Sequence, residues 1–440
     1  MSVTHRSRTG TRRLVALLLA IAGAAPLPAQ VVRGVQAYTN ARWFDGTTFR
    51  LGDRYVADGV FLVERPARVD STIDLGGAFV VPPFGEAHSH NVESTRIESV
   101  TRLHLDRGVF YVKNPNSLAR YTTPLSGRIN IPGGVDAIFA NGGLTSNGGH
   151  PVAIAQRQIR QGSWTEADGE GGFYWIIDSR ADLDAKWSRI LADRPDFIKT
   201  YLLYSEQYER RRADSLFRDW RGLDPALLPD IVARAHAEGL RVSTHVESAH
   251  DFRVAVNAGV NEINHLPGFR PDRDDPSSYG EMTRYALTDD DAKRAARAGI
   301  TVVTTIGGVL ELLAAIPDTS ARAPLARRTR DMLRENLRRL HRQGVLIAIG
   351  SDEYSRSADF EAAHLEQLGA VDNLTLLKWW TENTPVAIFP SRRLGKLAPG
   401  YEASFLVLGG NPVEDFANTR KITLRVKQGV VLPTPPAGER

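Results

Sequence analysis

Between about residues 82 and 390 the chain alternates short apolar runs with longer stretches whose apolar positions recur at helical spacing. That alternation is the pattern of a parallel sheet covered by helices. Strands are expected at 108–112, 135–140, 197–201, 241–245, 262–265, 301–305 and 346–350, and one more before His88 makes eight. Helices are expected between them at 181–192, 225–238, 249–258, 289–298 and 329–342, several stopped by Gly239, Gly259, Gly299 or Gly344 as C-caps. The expected fold class is α/β, a (β/α)8 TIM-like barrel rather than an open sheet. Flanking it, residues 35–75 and 395–432 carry short alternating runs broken by glycines, which suggests that the two chain ends pair into a small β-sandwich. The expected organisation is a targeting segment over 1–29, the β-domain over 30–81 and 391–440, and the barrel over 82–390.

Composition narrows the class. With 440 residues, 42% hydrophobic and 24% charged, the chain is an ordinary globular protein. Its 55 basic and 51 acidic residues are spread along the chain, and the arginine-rich stretch from Arg327 to Arg342 reads as a solvated helix face, so no nucleic-acid footprint is present. The N-terminus runs from basic residues ending in Arg12 and Arg13, through an apolar run from Leu14 to Ala25, to small residues near Ala29. This reads as a signal peptide, and export to the periplasm or exterior is expected, with the Sec and twin-arginine routes both open. No stable membrane anchor is expected, and a homo-oligomer is compatible with the sequence. There is no cysteine, so any metal must be held by nitrogen and oxygen.

Polar residues at the C-terminal ends of barrel strands converge on one pocket, which makes position on the strand the useful test. His88 and His90 follow an apolar run and are separated by one residue, so in extended backbone they point to the same side. His245 and His265 each end a strand, and Asp352 follows the last one. Lys199 sits inside the apolar run 197–201, where an ammonium is costly unless paired or modified. It could form a Schiff base, react with CO2 to give a metal-bridging carbamate, or pair with an acid; the four histidines and the aspartate favour the carbamate.

Taken in order, His88-Ser-His90, Lys199, His245, His265 and Asp352 fall on strands one, four, five, six and eight, and in this the chain resembles the amidohydrolase superfamily over nearly all its length after the targeting segment. The stretch 395–400 in the second β-domain piece is also similar. The resemblance implies two divalent metal ions, zinc best matching imidazole and carboxylate ligands, with His88, His90 and Asp352 on one, His245 and His265 on the other, and a carboxylated Lys199 as bridging ligand. It implies hydrolysis by metal-activated water with Asp352 as the catalytic proton carrier. Glu247 lies two residues after His245, an offset that does not match the deaminases of the superfamily. The loop 145–150 is similar to the prolidase-like and imidazolonepropionase-like branch, which makes His150 a candidate for contact with a small-molecule substrate, and Tyr201 and Tyr204 are candidates by their position after Lys199. The expected reaction is cleavage of an amide or peptide C–N bond in a dipeptide or N-acyl amino acid. A lactonase or phosphotriesterase on the same metal pair, or a non-catalytic binding protein, is the alternative. Asn264 before His265, Thr200 after Lys199 and Ser404 in 403–405 depart from that branch.

Overall fold

The structure, a computed structural model, describes residues 34–270 and 282–434; the expected targeting segment lies outside the described residues. The N-terminal end supplies β1 (Gln36–Phe44), β2 (Phe49–Ala57), β3 (Val60–Phe61), β4 (Ser71–Asp74) and β5 (Phe79–Val81). A bulge in β1 between Tyr38 and Ala41, with Asn40 at φ 53°, lets its two halves pair with different partners, β4 before the bulge and β5 after it.

The barrel strands follow as β6 (Phe84–Glu86), β7 (Val109–Ser117), β8 (Asp136–Asn141), β9 (Gly143–Thr145), β10 (Tyr174–Ile176), β11 (Phe197–Tyr201), β12 (Arg241–His245), β13 (Glu262–Asn264), β14 (Thr301–Val303) and β15 (Leu346–Ala348). Hydrogen bonding runs in parallel through β6-β7-β8 and through β9-β11-β12-β13-β14-β15, with β10 added beside β9. Gly142, at φ 94°, bends the chain between β8 and β9, so these form one kinked stave. Past the ends of β15 and β6 the ring closes: Ala87 N donates to Ile349 O at 2.8 Å and Asp352 N to His88 O at 2.7 Å. Gly350 is required at this seam, because a Cβ there would lie 2.7 Å from that of His88. Eight staves therefore surround the core, as the apolar periodicity predicts.

The C-terminal strands β16 (Phe405–Leu408), β17 (Ile422–Lys427) and β18 (Val430–Val431) return to β5, and both chain ends share one eight-stranded sheet. Phe405 fills its centre, with the rings of Tyr38 and Trp43 edge-on at 4.8 and 5.4 Å. The sheet is clamped to the base of the barrel by Asp136 at the start of β8, which takes Lys427 Nζ at 2.6 Å and Arg392 at 2.7 Å.

The long helix starts six residues earlier than its apolar spacing predicts, running Ala323–Arg342, because Pro324 is accommodated in the first turn. Helices Ile97–Asp106, Val152–Arg160, Gly307–Ala314 and Ala358–Leu368 are additional to those expected. The strand expected to end at His265 stops at Asn264, since His265 turns to φ 77°. Among the described residues no helix is long and apolar enough to cross a membrane.

Candidate active site

The histidines, the lysine and the aspartate singled out by strand position meet at the C-terminal mouth of the barrel. A cavity of about 180 Å³ is lined by His88, His90, Lys199, His245, His265 and Asp352, together with His150 and Tyr201. Asp352 is the hub: its Oδ1 lies 3.3 Å from His88 Nε2 and 3.0 Å from His90 Nε2, and its Oδ2 is 3.9 Å from His265 Nδ1. Ligand atoms of His88, His90 and Asp352 all fall within 4.8 Å of one another. The rings of His245 and His265 stand beside this group, their centroids 4.3 Å apart, with His265 4.8 Å from His88.

The backbone at this mouth is strained. Tyr204, His265, Thr305 and Asp352 all have φ between 49° and 77°, a region that costs a non-glycine residue roughly 1–3 kcal/mol. Buried carboxylates hold these loops in place. Asp251, three residues after the helix cap Ser248, accepts from Tyr204 N at 2.8 Å, Ser205 N at 2.8 Å and Glu247 N at 3.1 Å, tying the loop after β11 to that after β12. Glu86 accepts from His88 N at 3.1 Å and from Ser351 N and Oγ at 2.9 and 2.7 Å, joining the first and last ligand loops. Glu361 accepts from Ile306 N at 2.9 Å and Gly307 N at 2.5 Å and fixes the loop after β14. Burial pushes Glu86 up to about 8 and Glu361 up to about 7.

The electrostatics suit cation binding. Burial lowers His88 to about 4 and drives His245 and His265 well below the usual imidazole value, so each keeps a lone pair at neutral pH. Asp352, despite its burial, is held well below the usual carboxylate range by the neighbouring imidazoles. Hydrogen bonds choose the ligating nitrogens: His265 Nδ1 is 2.7 Å from Thr305 Oγ1, leaving Nε2 for a metal, and His245 Nε2 is 3.1 Å from Glu247 Oε1, leaving Nδ1. His88 Nδ1 is buried without a partner. Four imidazoles around an ionised carboxylate form a donor set that fits divalent cations, zinc among them.

Lys199 is 1% exposed, and burial lowers its ammonium to about 7, despite the attraction of Asp352 and Glu262. Its Nζ donates to Asn264 Oδ1, and Asn264 in turn donates to Glu262 Oε1 at 2.8 Å. Much of it is therefore an amine at neutral pH.

The remaining candidates divide. His150 projects over the cavity 5.3 Å from the rings of both Tyr201 and His245, its Nδ1 3.3 Å from Asp219, and burial lowers its pKa. Tyr201 packs against Gly143, where a Cβ would come within 2.5 Å of its ring. Tyr204 is fully buried and does not line the cavity; its hydroxyl lies 3.3 Å from the carbonyl of Arg270. The structure adds residues that strand position does not reveal. Asn116 lines the cavity at 3% exposure with neither amide atom hydrogen-bonded, Phe269 stacks on His265 at 4.0 Å, and Tyr354 stacks on His90 at 5.1 Å. Asn116 lies within the run 113–117, which interrupts an otherwise apolar strand, and that is the one sequence signal that could have found it.

The amidohydrolase family matches residues 220–432, a span that takes in His245, His265 and Asp352 but stops short of His88, His90 and Lys199. Comparison with curated proteins by sequence finds no match. Among solved structures the chain is similar to the ochratoxinase of A. niger, with 18% identity, a TM-score of 0.69, and coverage of 92% of this chain and 97% of that one. An Xaa-Pro dipeptidase with bound methionine in the active site gives 15% identity, a TM-score of 0.68, and coverage of 91% and 100%. Molinate hydrolase gives 16%, 0.68, and coverage of 91% and 95%. At these identities the likeness extends to the fold.

Proposed function

Because the chain belongs to the amidohydrolase superfamily, we propose that it is a metal-dependent hydrolase of amide or peptide C–N bonds in small substrates such as dipeptides or N-acyl amino acids. The observation that carries this reading is the convergence of His88, His90 and His265 on Asp352 inside a cavity that Lys199 and His245 also line. His88, His90, His245, His265 and Asp352 would hold divalent metal, which when bound would supply the Lewis acidity for attack of water on a carbonyl near neutral pH.

The chain's own residues do the rest. Asp352 is ionised and sits at the centre of the donor set, so it receives the proton of the attacking water at Oδ and returns it to the leaving nitrogen. Lys199, as an amine in the same cavity, would add CO2 with loss of one proton, and the carbamate would supply two further oxygens for holding metal beside the histidines. His150 and Tyr201 on one wall orient the scissile group, and Phe269 and Tyr354 keep the cavity apolar around it. Glu247 is occupied with His245 and Arg270 and does not line the cavity, so the proton carrier of a deaminase is lacking there. Similar structures bearing the names of an Xaa-Pro dipeptidase and a prolidase support the choice of C–N bonds over lactones and phosphotriesters. Export of the mature chain is part of the same proposal.

The test is hydrolysis by metal-loaded mature protein of a panel of dipeptides, N-acyl amino acids, lactones and phosphotriesters, with Asp352→Asn as control. Turnover of the C–N substrates that vanishes in the variant is expected. Preference for lactones or phosphotriesters would replace the substrate assignment.

A further inference from the structure

Beside the donor set, one side chain in the cavity wall carries a permanent positive charge that the chemistry just described does not use. Arg270 lines the cavity next to Phe269, and among the described residues the only other non-histidine base there is Lys199, which a carbamate would convert from cation to anion. The guanidinium is held on several sides. Its Cζ lies 4.7 Å from the ring centroid of Trp220 and 5.8 Å from that of Phe269. Its Nε and Nη2 reach Glu247 Oε1 at 3.3 and 2.7 Å, and its own carbonyl faces Tyr204 Oη at 3.3 Å. Glu247 is fully buried behind it, whereas the arginine side chain is 32% exposed and so remains partly accessible. A guanidinium carries five N–H donors in a rigid fork, and Glu247 occupies one edge only. Asn116, whose amide atoms have no hydrogen-bond partner, is neutral and lies beside His90.

We propose that Arg270 is the anchor for a carboxylate on the substrate, with Glu247 as the positioning residue that presents it, so that the enzyme selects substrates bearing an anion near the bond that is cut. The inference rests on the cavity being the substrate site and names the substrate class more narrowly: a free α-carboxylate, as in an N-acyl amino acid or the C-terminal residue of a dipeptide. Fixing the guanidinium in advance lowers the ordering cost of recognition. A charge-assisted fork of this kind is worth about 10- to 100-fold in affinity.

The experiment compares benzoylglycine with its carboxamide, benzoylglycinamide, on metal-loaded wild type, Arg270→Met and Arg270→Lys, with metal content measured for each. Binding is read by calorimetry and hydrolysis on the same samples. Wild type is expected to bind the carboxylate about 10- to 100-fold tighter than the amide, Arg270→Met to bring the two within about threefold, and Arg270→Lys to fall between them. If the preference survives in Arg270→Met, the carboxylate is bound elsewhere, and the proposal is wrong. If both probes weaken equally, Arg270 acts only through Glu247 and His245, and the proposal is again wrong. Absence of a preference in wild type, or of binding by either probe, overturns it too. Binding with the expected preference but no hydrolysis of any C–N substrate leaves the anchor in place and removes the proposed reaction.

Discussion

Beneath the candidate metal site lies a buried ion pair whose removal is informative. Lys113 Nζ is 2.7 Å from Glu262 Oε1, with the two side chains 2% and 1% exposed. The same carboxylate oxygen accepts from Ser243 Oγ and Asn264 Nδ2, both at 2.8 Å, and Asn264 reaches Lys199. Burial pulls Lys113 down to about 8 against the attraction of Glu262; burial also opposes the charge on Glu262, yet Lys113 and Arg241 hold it at about 2. Burial thus opposes both charges while their mutual attraction favours both, and an intact pair of this kind contributes little net stability. Breaking it is different. Glu262→Gln leaves Lys113 buried without a counter-charge and is expected to cost about 3–5 kcal/mol in denaturant unfolding. Adding Lys113→Met removes the stranded charge, and the double variant should recover more than about half of the loss. Urea titration of metal-free wild type, both single variants and the double variant measures this. A cost below about 1 kcal/mol for Glu262→Gln, or a double variant no more stable than the single one, would refute the reasoning.

Further outcomes follow from the same contacts. Thr305→Val keeps the β-branched shape at φ 49° but removes the partner of His265 Nδ1, and should weaken binding of the second metal by about 10- to 100-fold in competitive chelation; unchanged affinity would mean that Thr305 does not orient the ring. His104 is held neutral by burial at about 3, between Ser357 Oγ at 2.8 Å and Asn91 Oδ1 at 2.9 Å, so its stabilising effect is complete above about pH 6.5 and is lost as pH falls toward 3. Between pH 6 and 4, His104→Gln should flatten the fall of unfolding free energy by about 1.4 kcal/mol per pH unit, and an unchanged slope would contradict this. With 13C-bicarbonate and metal present, the wild type should show a carbamate carbon resonance that Lys199→Met lacks; its absence from both would leave Lys199 as an amine.

Much of the barrel and most of the site were legible because both depend on local rules. The apolar alternation marks β11, β12 and β15 within a few residues, and each donor is the polar residue that interrupts or ends such a run. The helix Ala249–Ala258 was read at its true bounds because Ser248 and Asp251 form a capping box and Gly259 turns left-handed after it. Helix Gly307–Ala314 was not, since it opens on two glycines and its start is fixed by Glu361, some fifty residues away in sequence. The same distinction separates the site residues. His245 announces itself at a strand end, whereas Asn116, Phe269 and Arg270 acquire their places from neighbours on other strands. Tyr204 shows the opposite case: its position after the strand of Lys199 made it a candidate for substrate contact, yet with its backbone in a left-handed turn at φ 50° its ring is buried, the hydroxyl against the carbonyl of Arg270.

The central claim is that these side chains form a binuclear hydrolytic centre, and the most direct measurement is metal content and C–N bond hydrolysis on one preparation, titrated with zinc from the metal-free state. Activity rising until two ions are bound per chain, with Asp352→Asn binding metal less tightly and turning over no substrate, is the predicted result. Full hydrolytic activity in the metal-free protein, or an Asp352→Asn variant as active as wild type, would contradict the account.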